Sequence, residues 1–220
     1  GPAEGIPGIG NFHPKRTMSL QNYFTDIDIQ DGYTVTEPVS LDEAKKHCII
    51  THTEDDGYIQ DILIPACRAA VEDYCHISIV EKILTITLRI ENNIRLAFTG
   101  GCSDLSDNVI ELPHGPVKVD PTITQITSNG NITNLVENDG YQLTGTSFKS
   151  VVLNAAGTYI IVYTAGYKQM IPRDLKLAIL NEIAYRYEKR GDQGKEYAAD
   201  QPGICAASQM LAEKHRRLWV

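Results

Sequence analysis

The stretch Ser40–His76, SLDEAKKHCIITHTEDDGYIQDILIPACRAAVEDYCH, decides how this chain folds. Ser40 with Glu43 three residues on is a capping box, in which side chains and backbone N–H groups at a helix start satisfy one another. Val39 and Ala44 hold the staple positions around it, so a short helix is expected from about Leu41 to Ile49. Thr53 and Asp56 repeat the signature ahead of Ile59, Ile62, Leu63, Ala66, Ala70 and Tyr74. Steps of three and four put those residues on one face of a longer helix. Gly57 falls in its first turn, where the cost is small. Pro65 lies deeper: a proline inside a helix forfeits a hydrogen bond and costs about 3 kcal/mol, so a kink of more than about 20° or a break is expected within a turn of it. The whole stretch reads as a helical hairpin.

After Ile77 the period changes from 3.6 to 2. Leu84, Ile86, Leu88 and Ile90 alternate with Thr85, Thr87 and Arg89, as in a half-buried strand. Further strands are expected at Ile94–Phe98, Val109–Leu112, Ile123–Ser128, Tyr141–Thr144, Val151–Asn154 and Thr158–Thr164, separated by turns such as Asn129-Gly130-Asn131 and Asp139-Gly140. Roughly seven short strands make a small antiparallel sandwich or barrel. Pro172 and Asp174 then open a helix whose stripe is Leu175, Ala178, Ile179, Ile183 and Tyr187, with Gly191 as its closing glycine. DQGKEYAADQPG is a loop, and ICAASQMLAEKHRRLWV returns to helical character. The fold class is therefore α+β: a helical module from residues 40–78 and 170–220, a β domain inserted at 79–169, and an extended arm at 1–39. The arm is rich in Gly, Pro, Asn and Asp, and its first 17 residues cannot bury enough apolar surface to fold alone. Gly1-Pro2 has the form of a cleavage scar and Met18 that of a start, or the arm is genuine.

At 220 residues, 42% hydrophobic and 22% charged, the composition is that of a globular protein. No apolar run reaches the roughly 20 residues of a membrane helix, and no basic-then-apolar leader opens the chain, so a cytoplasmic place of assembly is expected. Five cysteines without a CxxC pair read as reduced thiols. The net charge of −8 is uneven: residues 173–220 carry 9 basic and 7 acidic side chains, and the first 172 carry 11 basic against 21 acidic. That acidic bulk repels a phosphate backbone and disfavours ordinary nucleic-acid binding.

Constellations that would carry chemistry are missing from the sequence. Glu54, Asp55, Asp56 and Asp61 lack the alternate spacing of a calcium loop, and His47, Cys48 and His52 have no partner pair to complete a zinc site. There is no glycine-flanked nucleophile, Cys102 has no histidine set beside it, and no glycine-rich phosphate cradle occurs. No catalytic residue, cofactor or metal is expected. Lys214, Arg216 and Arg217 followed by Leu218 and Trp219 read either as a solvated helix end complementing the dipole or as a partner-binding tip with an aromatic anchor.

Two blocks also carry a resemblance. SLDEAKKH, EDDGYIQDIL and ACRAAVEDYCH, in that order, resemble the opening of the head–tail connector (adaptor) proteins of long-tailed bacteriophages. LPHGPVKVDPTITQIT and then YTAGYKQMIPRDLKLAILNEIAYRYEKR resemble a later strand and helix start in longer members of that family, and the two blocks together span residues 39–190. Pro65 departs from the family pattern. The resemblance implies a non-enzymatic structural protein of the virion head–tail junction. Its copies, twelve in the family, would ring the DNA channel below the portal and present a surface to a neck or tail-completion protein. DNA would pass without specific binding, and no membrane would be involved. It also implies that the tip formed by Lys214, Arg216, Arg217, Leu218 and Trp219 docks on the portal. The alternative is a β-domain module binding carbohydrate or a host surface, which requires exposed aromatics on the strands.

Overall fold

The computed structural model describes residues 24–32, 36–90, 109–127, 129–153, 155, 157–168, 170–190 and 203–217. The expected strand Ile94–Phe98, Cys102, Gly191, most of the loop after it, and Leu218 and Trp219 lie outside these residues. The capping box forms as expected: Glu43 N–H donates to Ser40 Oγ at 3.3 Å, and Ser40 N–H to Glu43 Oε2 at 3.0 Å. Helix α1 runs Leu41–Cys48. The second signature does not form a box. Asp55 is the N-cap of α2 (Asp56–Tyr58) without a side-chain bond, and Thr53 contributes only its carbonyl to Asp56 N–H.

The irregularity expected within a turn of Pro65 is present without a break: the helix passes from α2 through a π turn, Ile59–Leu63, into α3, Ile64–Cys75. Ile64 N–H reaches back five residues to the Ile59 carbonyl. A π turn holds one extra residue, which rotates everything after it by about 100°. The buried stripe is accordingly Ile59, Leu63, Ile64, Cys67, Val71 and Cys75, one residue ahead of the expected Ala66, Ala70 and Tyr74. Ile62 bulges outward and is 58% exposed. Gln60 and Asp61, whose carbonyls the proline cannot serve, are exposed, so water reaches them.

Helix α4, Arg173–Lys189, buries Leu175, Ala178, Ile179 and Ile183 against this stripe, and α5, Ala206–Ala212, packs on both. A 3-10 turn, Glu213–His215, follows. Two buried carboxylates tie the helical core to its surroundings. Glu72 accepts from Ile79 N–H (2.6 Å), Val80 N–H (3.1 Å), Arg68 Nη1 (2.7 Å) and Lys82 Nζ (2.8 Å). Glu182 accepts from Arg186 Nε and Cys205 N–H, both at 2.7 Å, and so seats the start of α5.

The strands form two antiparallel sheets around a second core. The larger has the order β1-β2-β8-β4-β5, from Phe24–Asp31, Lys82–Ile90, Gly157–Ala165, Val117–Ile126 and Ile132–Asn134. The smaller is β3-β7-β6, from Val109–Glu111, Ser150–Leu153 and Tyr141–Thr144. Leu84, Ile86, Leu88, Ile123, Tyr159 and Ile161 of the first meet Ile110, Tyr141, Val151 and Leu153 of the second. Residues 24–31, expected as arm, are thus an edge strand paired along β2. β4 begins six residues before the expected Ile123, with Pro121 inside it. Proline is tolerated there because β5 pairs only from Thr124 onward, leaving that stretch at the sheet edge, and the ladder to β8 is bulged around it.

Lys82 pairs with Ala165, so the first residue of β2 and the last of β8 lie side by side. At that junction the two blocks of resemblance come together. Gly166 N–H donates to Pro116 O at 2.8 Å, and Ser78 N–H is shared between His114 O (3.1 Å) and Gly115 O (3.0 Å). A Cβ on Gly166, whose φ is +121°, would stand 2.6 Å from Val80 O. One on Gly115 would stand 2.6 Å from the Phe148 ring. Both glycines of the HGP and AGY phrases are there because backbone or ring approaches too closely for any side chain.

Candidate partner-binding site

The C-terminal basic stretch lands on this junction. Cys75 ends α3, and its carbonyl has no partner within the helix. Arg217 N–H donates to it at 2.8 Å, so the chain end adds the missing bond. The Arg217 guanidinium lies 4.1 Å from the centre of the Phe148 ring and pairs with Glu111 at the end of β3. One residue therefore touches the helical core, the β6–β7 turn and the smaller sheet.

Arg216 lies over the Tyr74 ring at 5.1 Å and within 3.7 Å of Glu213, while Tyr74 Oη donates to Glu213. That hydrogen bond to a carboxylate holds the Tyr74 phenol above its ordinary pKa. Lys214 pairs with Asp174 in the first turn of α4, which pulls the Asp174 carboxyl below the usual range. His215, beside Lys214, is held below the ordinary histidine pKa by burial, and its Nε2 has no hydrogen-bond partner. Lys214, Arg216 and Arg217 keep 60%, 36% and 38% of their side-chain surface exposed, yet each is paired at home. Leu218 and Trp219 lie outside the described residues.

A second polar cluster closes the other end of the helices. Tyr187 Oη and Arg190 Nη1 donate to Asp55 Oδ2 at 2.5 and 2.8 Å, and His52 Nε2 lies 3.4 Å from Tyr187 Oη. These bonds lower the Asp55 pKa, Tyr187 contributing most. The acidic turn is thereby bound to α4, a role its sequence does not announce. Lys45 Nζ donates to Asp56 and to His52 O, which fixes the same turn from α1.

Among the described residues no three His, Cys, Asp or Glu side chains are placed to hold a metal ion, and no helix is long and apolar enough to cross a membrane. His47 Nε2 instead sits 3.1 Å from Asn181 Oδ1 on α4. Cys48, Cys67, Cys75 and Cys205 are unpaired thiols, and burial pushes Cys67 and Cys75 up to about 12. The alternative of a carbohydrate-binding β module needs exposed aromatics. Tyr141, Tyr159 and Tyr163 are 7%, 1% and 2% exposed, and so belong to the core of the sandwich.

Comparison with known proteins bears on this arrangement directly. The family described as Phage gp6-like head-tail connector protein matches residues 38–119, from the residues just before the capping box to the first turn of the junction and the start of β4. No curated protein matches the chain in sequence. Solved structures that share the fold include the following two. One chain is from the "Neck of empty GTA particle computed with C6 symmetry", with a TM-score of 0.59 and 20% identity, covering 88% of this chain and 97% of its own. Another is from the "Virion of native gene transfer agent (GTA) particle", with a TM-score of 0.57 and 20% identity, covering 87% and 96%. The hairpin and the HGP turn thus coincide with the matched region, and over residues 38–119 the chain matches the phage gp6-like head-tail connector family that its sequence resembles.

Proposed function

We propose that this chain is a structural component of the head–tail junction of a phage or phage-like particle. Its copies form a ring that prolongs the DNA channel between portal and neck, and it is not an enzyme. The observation that carries this reading is the coincidence of the family match with the helical hairpin and the junction it leads into. The acidic balance of the first 172 residues suits a channel wall that DNA slides past. A ring of twelve follows from the family resemblance, and the helical module, inserted β domain and arm are its proposed parts. Assembly would take place in the host cytoplasm and the mature location is the virion. The test is the mass of the full chain in solution and on portal-bearing heads. High oligomers are expected. A strict monomer that also fails to join such heads overturns the reading.

Portal docking is assigned to Lys214, Arg216, Arg217, Leu218 and Trp219. The basic side chains, each already paired within the chain, steer the approach, and Leu218 and Trp219 supply the anchor. A chain end is rarely a core element, so from sequence Arg216–Val220 reads as removable without loss of the fold. The contacts of Arg217 with Cys75, Phe148 and Glu111 move the cut to the residue after it. Removing Leu218–Val220 is expected to leave thermal stability unchanged and to abolish stable co-sedimentation with heads. Trp219→Ala alone is expected to weaken attachment by about 2 kcal/mol. Normal co-sedimentation of the shortened chain would place the docking surface elsewhere.

A further inference from the structure

Two adjoining rows on the outer face of the larger sheet are uncharged across its three inner strands, and Arg89 stands on the same face one row beyond. Register sets Thr85, Val162 and Thr122 in one row on β2, β8 and β4, and Thr87, Ile160 and Thr124 in the next. Continued onto β1, the rows end in Asp28 and Asp26, both exposed. β8 is the central strand, yet Val162 is 37% exposed, and Val119 beside these rows is 56% exposed. No second layer covers this face among the described residues. With the next row, Ile83, Thr164 and Val119, three strands about 4.8 Å apart and three rows about 6.7 Å apart give a patch of about 300 Å². A patch of that size is at the lower end of the largest apolar patch on a typical monomer, often a functional one, and is about a third of the ~800 Å² one partner gives to a stable interface.

Its complement lies on the same chain, far away in sequence. The Lys214–Asp174 ion pair and the 2.8 Å bond from Ser208 Oγ to Ala178 O set α5 antiparallel beside α4. Between those two contacts stand Leu177 and Met210, 40% and 83% exposed, with exposed Arg173 one turn before Leu177. Two helices side by side cover about 20 Å, the width of four strands. The signs are opposite at one rim: exposed Asp26 and Asp28 border the sheet face, and exposed Arg173 borders the helix pair.

We infer that these two surfaces meet between neighbouring copies: the Thr/Ile/Val sheet face with Asp26 and Asp28 of one subunit receives Arg173, Leu177 and Met210 of the next. Two different surfaces make a heterologous contact, the kind that closes into a ring. The inference rests on the ring reading above. Its test uses the full chain under whichever condition the parent assembles, alone or on portal-bearing heads, with native mass as the readout. Asp26→Lys with Asp28→Lys reverses one rim, and Arg173→Glu with Met210→Glu reverses the other. Each double variant alone is expected to lose at least tenfold of the assembled fraction. Mixed in equal amounts, they are expected to recover it, because alternating subunits then pair reversed rim with reversed rim and parent rim with parent rim. Recovery on mixing also shows that both variants fold. If either double variant assembles like the parent, or if both fail and the mixture stays unassembled, the two faces do not meet while the ring reading stands. If the parent assembles under neither condition, both fall.

Discussion

Glu72 shows how far one residue can depart from its apparent role. In the sequence it belongs to the polar face of a helix, beside Asp73, and a carboxylate near a helix C-terminus is poorly placed for the dipole. In the structure it is 1% exposed and accepts four hydrogen bonds, two from backbone and two from cations. Arg68 passes the link on to Glu37, 2.9 Å from its Nε, so the segment before the hairpin is tied to the same point. A buried charge is tolerable only when paired and hydrogen-bonded, and removing it leaves its partners stranded. Glu72→Ala is therefore expected to cost about 3–5 kcal/mol, as for other broken buried pairs. At about 2–4 °C per kcal/mol for a chain of this size, a melting experiment reads this easily. A loss under about 1 kcal/mol would mean that the network is ornamental. Only the i, i+4 pair with Arg68 is legible in the helix itself, because the other partners lie seven to ten residues ahead.

At the scale of elements, the capping box, the stripe of α4 and the alternation of β2 and β8 were legible because each is a local pattern. The misreadings share a cause as well. Pro65 announces that regular helix must give way, but not how. A π turn resolves the conflict without ending the helix, and in doing so turns the buried face by one residue. Deleting Ile62 alone would restore an unbroken α register in which Ile59, Leu63, Ile64, Cys67, Val71 and Cys75 still align, but would force the Pro65 ring against a carbonyl. That variant is expected to lose about 3 kcal/mol in denaturant unfolding. Combined with Pro65→Ala it is expected to recover most of the loss. Equal stability of the two would show that packing, not the proline, maintains the π turn. β4 was read too short for a similar reason: Pro121 looks like a terminator and is in fact a bulge at an edge.

For the molecule as a whole, the order helix, strand, helix was legible from the change of period at Ile77 and back at Pro172. The docking stretch was legible as composition but not as geometry. Nothing in EKHRRLWV indicates that Arg217 fills the last carbonyl of α3, since that bond joins residues 142 positions apart. The side-by-side placement of Lys82 and Ala165 has a consequence for how such a chain changes over generations. Paired strand residues lie about 5 Å apart, a gap that a two-residue turn spans. Among the described residues from Ile83 to Thr164, only Phe148 packs on the apolar cluster of the helical core. One splice joining Lys82 to Ala165 would therefore remove Ile83–Thr164, at the cost of the bonds that Ser78, Gly166 and Arg217 make to that stretch and of the partner strand of β1. A chain carrying a two-residue turn in its place is expected to keep the helical circular dichroism of the parent and to lose the strand signal. On that expectation the strands from β2 to β8 can change as a unit while the helices that precede and follow them keep their contacts with each other.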